Sequence, residues 1–586
     1  MTVENLITEH IDIWTSAVKT RSTSGRGSSK KLELYGVKKL RELILELAVR
    51  GKLVPQDSSD EPASILLDRI AEAKKKLIQD KKLRKSKDLG DIPDKDIPYR
   101  IPSTWKWCYL SDLGGIIGGG TPKSNEDSYW TDKGVKWLTP ADLYGLKSKY
   151  IGSGKRDITK LGLEKSSAQL LPKGSVLFSS RAPIGYVAIT SNELATNQGF
   201  KSVVPIFQEL SEYIYYFLKR AGKFIDAEAS GTTFKEVSGT VVSKVLTPLP
   251  PIDEQCRIVA KVDELMALCD QLEQQTEASI EAHQVLVTTL LDTLTNSADA
   301  DELMQSWARI SEHFDTLFTT EESIDQLKQT ILQLAVMGKL VPQDPNDEPA
   351  SELLKRIAEE KAQLVKEKKI KKQKALPPIS EDEKPFELPS GWEWCRLLEV
   401  IDPERDISYG IIKLEAEPEI GGVPTLRCSD VKPGYIDLSG VRNVVEGIEE
   451  QYKRTRLQGG EVLLNIRGTL GGVALVPDSL NGYNIAREVA MLAVNKAILG
   501  EYLRNLILSP FFWLMIESNL KGIAYKGLNL SLLREFVIPL PPKNQQISIV
   551  SVTSSMTLVC DQLKQRLRNS QKTQLHLTDA IVEQTI

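Results

Sequence analysis

Two long stretches of the chain repeat apolar residues at alternating steps of about four and three, the spacing that makes one stripe along a helix. The apolar positions are Ile258, Val262, Leu265, Cys269 and Leu272 in the first stretch, and Ile549, Met556, Cys560, Leu563 and Leu567 in the second. This pattern predicts two coiled-coil helices that pair with each other, although ordinary core helices would also show it. The first, from about Asp253 to about Asn296, would be roughly 60 Å long.

Shorter apolar runs predict two mixed domains ahead of these helices. Val176–Phe178 and Val462–Leu464 follow glycines and are typical of strands after turns. Glu212–Lys219 and Tyr502–Leu508 have the pattern of helices. We therefore expect an α/β (α+β) domain of about 150 residues in each half of the chain.

The chain is a tandem repeat. Gly51–Asp57 and Gly338–Asp344 both read Gly-Lys-Leu-Val-Pro-Gln-Asp, and a Pro-x-x-Trp-x-Trp-Cys text follows each at the same offset, ending at Cys108 and Cys395. Such self-similarity is the signature of two equivalent structural units. The N-terminal text also resembles the text that follows the first long helix, so the repeat is nearly circular and predicts a pseudo-two-fold arrangement.

Composition sets limits on the class of protein. The 586 residues are 41% hydrophobic and 26% charged, and no apolar run is long enough to span a membrane. The N-terminus lacks a basic segment followed by an apolar one, so no signal peptide is predicted. Six cysteines and four histidines, without a C-x-x-C pair, argue against a zinc site and favour a reducing cytoplasm.

The charge is divided unevenly. The whole chain carries a formal net charge of −4, which argues against coating nucleic acid by bulk charge. Residues 105–250 hold 18 Lys and Arg against 13 Asp and Glu, whereas residues 392–541 hold 16 against 19. Two lysine-rich stretches, Lys74–Lys87 and Lys361–Lys374, are solvated helix faces or phosphate contacts; the sequence leaves both interpretations open.

Motifs for catalysis are missing. Gly118–Ser124 approaches a nucleotide-binding loop, but proline stands where the second glycine must bend. No G-x-S-x-G, H-E-x-x-H or deaminase motif occurs, nor the Asn/Asp-Pro-Pro-aromatic tetrapeptide of amino-methyltransferases. We therefore expect a protein that binds and does not catalyse, with no catalytic residue and no metal site.

Polar side chains cluster after the predicted strands at comparable places in both domains. Arg, Lys, Asn, Gln, Ser and Thr are the residue types that read base edges in the major groove. The candidates for DNA binding are Lys123, Ser179, Ser180, Arg181, Asn197, Gln198, Lys201, Thr232, Thr233 and Lys235 in the first domain, and Arg427, Asn465, Arg467, Arg487, Lys521, Tyr525 and Lys526 in the second. The alternative is a set of surface polar groups without a partner.

These features resemble the specificity subunit of type I restriction–modification systems. The resemblance covers nearly the whole chain and rests on the duplicated Gly-Lys-Leu-Val-Pro-Gln-Asp, the Pro-x-x-Trp-x-Trp text and the two Pro-Leu-Pro-Pro segments that end at Pro251 and Pro542. After these, Glu254-Gln255 in the first repeat is replaced by Gln545-Gln546 in the second. We expect this difference to be harmless.

The resemblance implies two target-recognition domains separated by two long antiparallel coiled-coil helices. The expected regions are an N-terminal helical region 1–101, the first recognition domain 102–251, a central helix 252–297, a helical repeat region and linker 298–388, the second recognition domain 389–542, and a C-terminal helix 543–586. Each domain would read one half of a split, asymmetric target in double-stranded DNA, and the helices would set the spacer.

The same resemblance implies the partners. Two methyltransferase subunits and two ATP-dependent motor–nuclease (restriction) subunits would join the chain. S-adenosylmethionine, ATP and Mg²⁺ would bind those subunits, and this chain would hold no cofactor. The family does not identify which residues touch bases, so the candidate residues rest on their clustering alone.

Two rival interpretations stay open. A symmetric adaptor that joins two copies of a protein partner, without touching DNA, would explain the repeat equally well, but it leaves the divergence of the two domains unexplained. A stand-alone nuclease or methyltransferase would need catalytic motifs that we do not find.

Overall fold

The computed structural model describes residues 3–21, 31–84, 89–181, 183–229, 235–298, 300–520 and 527–586. The chain divides into two compact units. The first unit comprises Met1–Ser279 with Ser570–Ile586, and the second comprises Ile280–Asn569. Each unit therefore contains a part of both long helices.

The first half of the chain contains a mixed domain followed by one long helix. Its helices are α1 (Val3–Glu9), α2 (Ile11–Ser16), α3 (Tyr35–Val49), α4 (Ala63–Gln79), α5 (Leu110–Leu113), α6 (Lys160–Glu164), α7 (Ser211–Ala227), α8 (Gly239–Ser243) and α9 (Ile252–Asn296). Its strands are β1 (Lys19–Arg21), β2 (Lys31–Glu33), β3 (Lys106–Tyr109), β4 (Gly114–Gly118), β5 (Trp130–Thr131), β6 (Val135–Leu138), β7 (Tyr150–Ile151), β8 (Arg156–Ile158), β9 (Leu170–Leu171), β10 (Val176–Phe178), β11 (Val187–Thr190), β12 (Leu194–Thr196), β13 (Lys201–Pro205) and β14 (Leu246–Leu249).

The second half repeats this order. Its helices are α10 (Ala300–Glu312), α11 (Phe314–Leu317), α12 (Glu321–Val336), α13 (Ala350–Lys366), α14 (Glu446–Glu449), α15 (Gly500–Leu508), α16 (Pro510–Leu520), α17 (Leu530–Glu535) and α18 (Lys543–Thr585). Its strands are β15 (Glu393–Arg396), β16 (Ser408–Tyr409), β17 (Val423–Leu426), β18 (Val431–Lys432), β19 (Tyr435–Ile436), β20 (Arg442–Val444), β21 (Val462–Asn465), β22 (Val473–Leu475), β23 (Asn484–Ile485), β24 (Val489–Leu492) and β25 (Val537–Leu540).

The two mixed domains share a sheet plan. The first contains a sheet of order β4-β13-β10-β11-β7, and the second a sheet of order β16-β24-β21-β22. In both, the central strands are buried and antiparallel: Val176 pairs with Val203, and Val462 pairs with Leu492. A second sheet joins β6 to β12 in the first domain and β17 to β23 in the second, parallel in each case. The sequence prediction of strands at 176–178 and 462–464 is confirmed.

Each domain is closed by a pair of strands at its base. β3 pairs with β14, and β15 pairs with β25, so the tryptophan-rich text that opens a domain lies against the Pro-Leu-Pro-Pro text that closes it. The buried Tyr213 donates to the carbonyl of Pro248, and Tyr502 donates at 2.8 Å to the carbonyl of Pro539. These matched bonds hold the domain to the start of the long helix that follows.

The long helices run antiparallel within the second unit, and α12 shows this by its contacts with both. Along α12 the ion pairs to α18 step backwards: Glu321 with Arg568, Asp325 with Lys564, Lys328 with Asp561, at 2.7 to 2.8 Å. Along the same helix the bonds to α9 step forwards: Glu322 with Gln284, Gln326 with Thr288. The part of α9 in this unit therefore runs opposite to α18.

The first unit has the same arrangement around α3. Arg41 of this helix donates to Asp270 at 2.6 Å and to Glu273 at 2.8 Å on α9. Tyr35 and Lys39 of the same helix reach Asp579 on α18, at 2.8 and 3.0 Å. Each unit thus packs one short helix against a piece of each long helix. The predicted fold class, with α/β domains, antiparallel long helices and a tandem repeat, is confirmed.

The seam residues are packed, but not only against the other long helix. Ile258, Val262, Leu265, Cys269 and Leu272 are buried, as are Ile549 and Cys560. Met556, Leu563 and Leu567 are partly buried and join a core cluster shared by α9, α12 and α18. The prediction of paired long helices did not include this third helix, α12, which covers part of the same apolar face.

The duplicated Gly-Lys-Leu-Val-Pro-Gln-Asp joins these parts together. Gly51 and Gly338 adopt positive φ, and a Cβ there would lie 2.5 and 2.4 Å from a proline ring, so glycine is required at both. The next residue, Lys52, donates to the main-chain oxygen of Ile586, which follows α18, and its counterpart Lys339 donates to those of Thr295 and Ser297 at the end of α9. A cation is favourable at a helix C-terminus.

Candidate nucleic-acid interface

The end of one central strand places an arginine at the same position in each domain. β10 continues into Arg181, which is bridged to Glu236, and β21 continues into Arg467, which is bridged to Gly527. The flanking backbone bonds also match: Ser180 N donates to the carbonyl of Gly199, as Ile466 N donates to that of Glu488. Arg181 and Arg467 are therefore structural equivalents, and both side chains are exposed.

The turn between the next two strands supplies a second matched position. Asn197 N donates to the carbonyl of Leu138, and Ala486 N donates to that of Leu426, at 2.9 and 2.8 Å. One residue further along, Gln198 and Arg487 are both exposed. Their side chains differ in charge although the backbone that carries them is the same.

A glycine brings a third segment against this turn. A Cβ on Gly119 would lie 2.0 Å from the carbonyl oxygen of Asn197, and one on Gly410 would lie 1.8 Å from that of Ile485. Only glycine allows this approach. In the first domain the segment continues to Thr121, whose hydroxyl bonds to the amide oxygen of Gln198. Lys123, exposed, lies two residues further on.

The remaining candidates of the first domain lie beside these segments. Lys201 is half-buried and donates to the carbonyl of Gln198 at 3.4 Å. Asn197 is half-buried and its side-chain oxygen accepts from Gly199 N, which shapes the turn. Lys235 is exposed and lies 3.9 Å from Asp226. The structure thus brings the described candidates of this domain to one end of the strands of its main sheet. We call this end, and the equivalent end in the second domain, the reading edge.

In the second domain the candidate Arg427 is bonded within its own loop. Its guanidinium bonds to the carboxylate of Asp430 and donates at 2.6 Å to the carbonyl of Gly440. These bonds fix the loop after β17 beside Asn465. Arg427 is half-buried and engaged, which leaves Arg467 and Arg487 as the exposed candidates of this domain within the described residues.

Three candidates are buried, and their placement on surface turns was wrong. The Ser179 hydroxyl donates to the carbonyl of Pro183 and accepts from Tyr186 N. Its equivalent, Asn465, donates from its amide to the carbonyls of Cys428, Val431 and Thr469. Ser180 is also fully buried. Short polar residues at a strand end often bond to nearby backbone, and here they shape the turn that carries the arginine.

Other candidates lie outside the described residues, namely Thr232, Thr233, Lys521, Tyr525 and Lys526. The sequence reasoning also missed two participants, Thr121 and Glu236. Glu236 accepts from Arg181 and Lys201, and the bond from Arg181 holds the pKa of its carboxyl below the ordinary value. Glu236 is acidic, and acidic residues are not among the types that the sequence pattern singled out for reading base edges.

The lysine-rich stretches begin with lysines that are engaged locally. Lys74 Nζ donates at 2.5 Å to the carbonyl of Ser111, and burial lowers its pKa. Its counterpart Lys361 donates at 2.7 Å to the side chain of Gln373. Both lysines tie a helix to a following segment, which favours a structural role for them over phosphate contact.

Among the described residues, no group of three or more His, Cys, Asp and Glu is placed to hold a metal ion. In the same part of the chain, no helix is long and apolar enough to cross a membrane.

Two domains with one backbone plan and different exposed side chains define a protein that recognises two related but unlike targets. The family model for the type I restriction modification DNA specificity domain matches residues 102–282 and 389–571, more than half of the chain. The chain belongs to this family.

Similar proteins agree with this assignment over the full length. The specificity subunit of the type I restriction enzyme EcoEI of Escherichia coli is 41% identical, covering 100% of this chain and 99% of the relative. That of EcoAI, also of Escherichia coli, is 40% identical, covering 100% of both. A chain solved in a study of complex assembly of the type I R-M system is 18% identical with a TM-score of 0.47, covering 83% of this chain and 99% of that one. The sequence relatives carry the assignment.

Proposed function

We propose that this chain is the sequence-specific DNA-recognition subunit of a type I restriction–modification complex, and that each domain reads one half of a bipartite, asymmetric target. One observation carries this proposal. Equivalent positions on the two reading edges hold the same residue in one case, Arg181 and Arg467, and different residues in the other, Gln198 and Arg487. Arginine pairs with guanine and glutamine with adenine, so the two edges suit different bases.

The long helices connect the two recognition domains and set the length of the unread spacer. α9 has 45 residues and α18 has 43. A rigid helix fixes a distance at about 1.5 Å per residue, which suits a target whose halves are separated by a constant number of base pairs.

The repeated segments serve the partners. Each unit contains glycine, lysine and tryptophan contacts at equivalent positions of the duplicated text, which suits two equivalent surfaces for two copies of one partner. We assign these surfaces to two methyltransferase subunits, and two restriction subunits join through the complex. S-adenosylmethionine, ATP and Mg²⁺ bind those partners, and this chain catalyses nothing itself. Its sparse cysteines suit the cytoplasm.

Measurement of DNA affinity at several salt concentrations distinguishes this proposal from an adaptor that binds only protein. The chain assembled with its methyltransferase subunits is titrated with a random-sequence duplex and with genomic fragments that carry the methylated motif. We expect the motif to bind at least about 1,000-fold more tightly than random sequence, and binding to weaken as salt rises. Absent binding, or equal affinity for both duplexes, would contradict the proposal.

A further inference from the structure

One carboxylate bridges two candidate cations on the reading edge of the first domain. Glu236 Oε2 lies 2.8 Å from the guanidinium of Arg181, and its Oε1 lies 3.3 Å from Lys201 Nζ. Glu236 is held in place by the bridge between its backbone and that of Arg181. The bond from Arg181 also lowers the pKa of this carboxyl, so it is ionised at neutral pH.

The second domain lacks this carboxylate. Gly527 is bridged to Arg467 as Glu236 is to Arg181. The strand register also places Ala490 opposite Tyr409, where Lys201 lies opposite Gly118 in the first domain. Arg467 is exposed and has no ion pair with any described residue.

The difference matches the charge of the two domains. Residues 105–250 hold 18 basic against 13 acidic residues, so the first domain attracts any phosphate backbone. Residues 392–541 hold 16 basic against 19 acidic residues, so the second domain has no surplus of positive charge that a carboxylate would need to offset. A carboxylate beside the candidate DNA-binding cations is therefore useful only in the first domain.

We propose that Glu236 is a positioning residue that sets the specificity of the first domain, by holding Arg181 and Lys201 away from indiscriminate contact with phosphate. This inference rests on the proposed function and deepens it. The carboxylate repels phosphate and orients the guanidinium, so the cations engage only where base contacts replace the ion pairs. The second domain has a glycine at the position equivalent to Glu236, and its own acidic surplus already weakens non-specific binding.

The test compares Glu236→Gln with the wild-type chain, each assembled with its methyltransferase subunits. Affinity for a random-sequence duplex is measured from about 50 to about 200 mM salt, where each added phosphate contact steepens the log–log slope by about 0.9. Releasing one of the two cations should therefore raise the loss of affinity over this range by about 3-fold, and releasing both should raise it by about 12-fold. Sequencing of methylated sites in cells should show a motif relaxed only in the half that the first domain reads.

Two further variants serve as matched controls. Glu209→Gln removes the same charge from an exposed side chain at the far end of β13, and should behave as the wild type. Gly527→Glu places the carboxylate in the second domain, where the nearest described atoms to a Cβ belong to the flexible side chain of Arg467, at 3.3 Å. It should flatten the salt slope for random DNA. If Gly527→Glu lowers the melting temperature, the comparison of the salt slopes of Glu236→Gln and Glu209→Gln alone tests the role of Glu236.

Equal salt slopes for Glu236→Gln and Glu209→Gln would overturn the role of Glu236, as would relaxation of both halves of the motif. A flatter slope in a well-folded Gly527→Glu supports it, and an unchanged slope contradicts it. These results presuppose a wild-type complex that binds DNA. A wild-type complex that binds none would refute the proposed function itself, so the two failures are distinguishable.

Discussion

Trp105 and Trp392 occupy the same place in the two repeats but bond to different acceptors. Trp105 Nε1 donates at 2.9 Å to the carboxylate of Glu254, and Trp392 Nε1 donates at 2.6 Å to the amide oxygen of Gln545. Either side chain supplies the required oxygen to the buried indole. The replacement of Glu254 by Gln545 in the second repeat therefore keeps the hydrogen bond of the buried indole.

The carboxylate nevertheless carries a cost that the amide does not. Burial raises the pKa of Glu254, although bonds from Trp105 and Gln56 oppose the shift. Because the folded-state pKa lies above that of the unfolded chain, the wild type loses stability as pH rises from the unfolded pKa through the folded pKa. We expect Glu254→Gln to raise the melting temperature at pH 8 and to match the wild type near pH 4, as measured by scanning calorimetry.

Trp105→Phe is the matched control for this prediction. It removes the donor and leaves a buried acceptor unsatisfied, which should cost about 1 to 3 kcal/mol at both pH values. A Glu254→Gln variant that is less stable than the wild type at pH 8, by more than it is at pH 4, would contradict the account of Glu254.

At the scale of elements, the extent of α9 could be predicted but its surroundings could not. The apolar stripe indicated a helix from about Asp253 to about Asn296, and α9 spans Ile252–Asn296. The stripe predicts which face of the helix is buried, but it does not predict which element packs against that face. The packing of the short helices α3 and α12 against that face could not be predicted, because their own apolar stripes would fit any partner.

In the candidate site, residue type did not predict which polar side chains are exposed. Residue type and clustering found the exposed Arg181, Gln198, Arg467 and Arg487. They did not separate these from Ser179 and its neighbours, which are buried, because a short polar side chain can serve the backbone as well as a ligand. Glu236 went unnoticed because its role depends on strand pairing, which brings it to Arg181 from distant sequence.

Lengthening both long helices tests their role in setting the spacer. Seven residues inserted between Ser279 and Ile280 and between Asn569 and Ser570 add about 10 Å to each helix while nearly preserving the buried face. We expect the spacer of the methylated motif to lengthen by up to about three base pairs, with both half-sites unchanged. Five-residue insertions, which rotate the apolar face, should instead abolish methylation. A motif with its original spacer after the seven-residue insertions would contradict the role of the helices.

At the scale of the whole molecule, duplication and divergence serve different surfaces. The duplicated text makes equivalent contacts in each unit, from Lys52 and Lys339 at the ends of the long helices to the tryptophans at the base of each domain. The divergent text supplies the exposed side chains on the reading edges. One chain can therefore present equivalent faces to identical partners and unlike faces to the two halves of a DNA target.

Exchange of one domain tests whether each domain reads its own half of the target. Residues 105–250 are replaced by the corresponding domain of a family member with a known target, because the paired strands β3 and β14 make this segment a closed unit. The methylated motif is then read by sequencing the genome of a host that carries the hybrid system. We expect one half of the motif to change to that of the donor while the other half stays the same. A change in both halves, or in neither, would contradict this expectation.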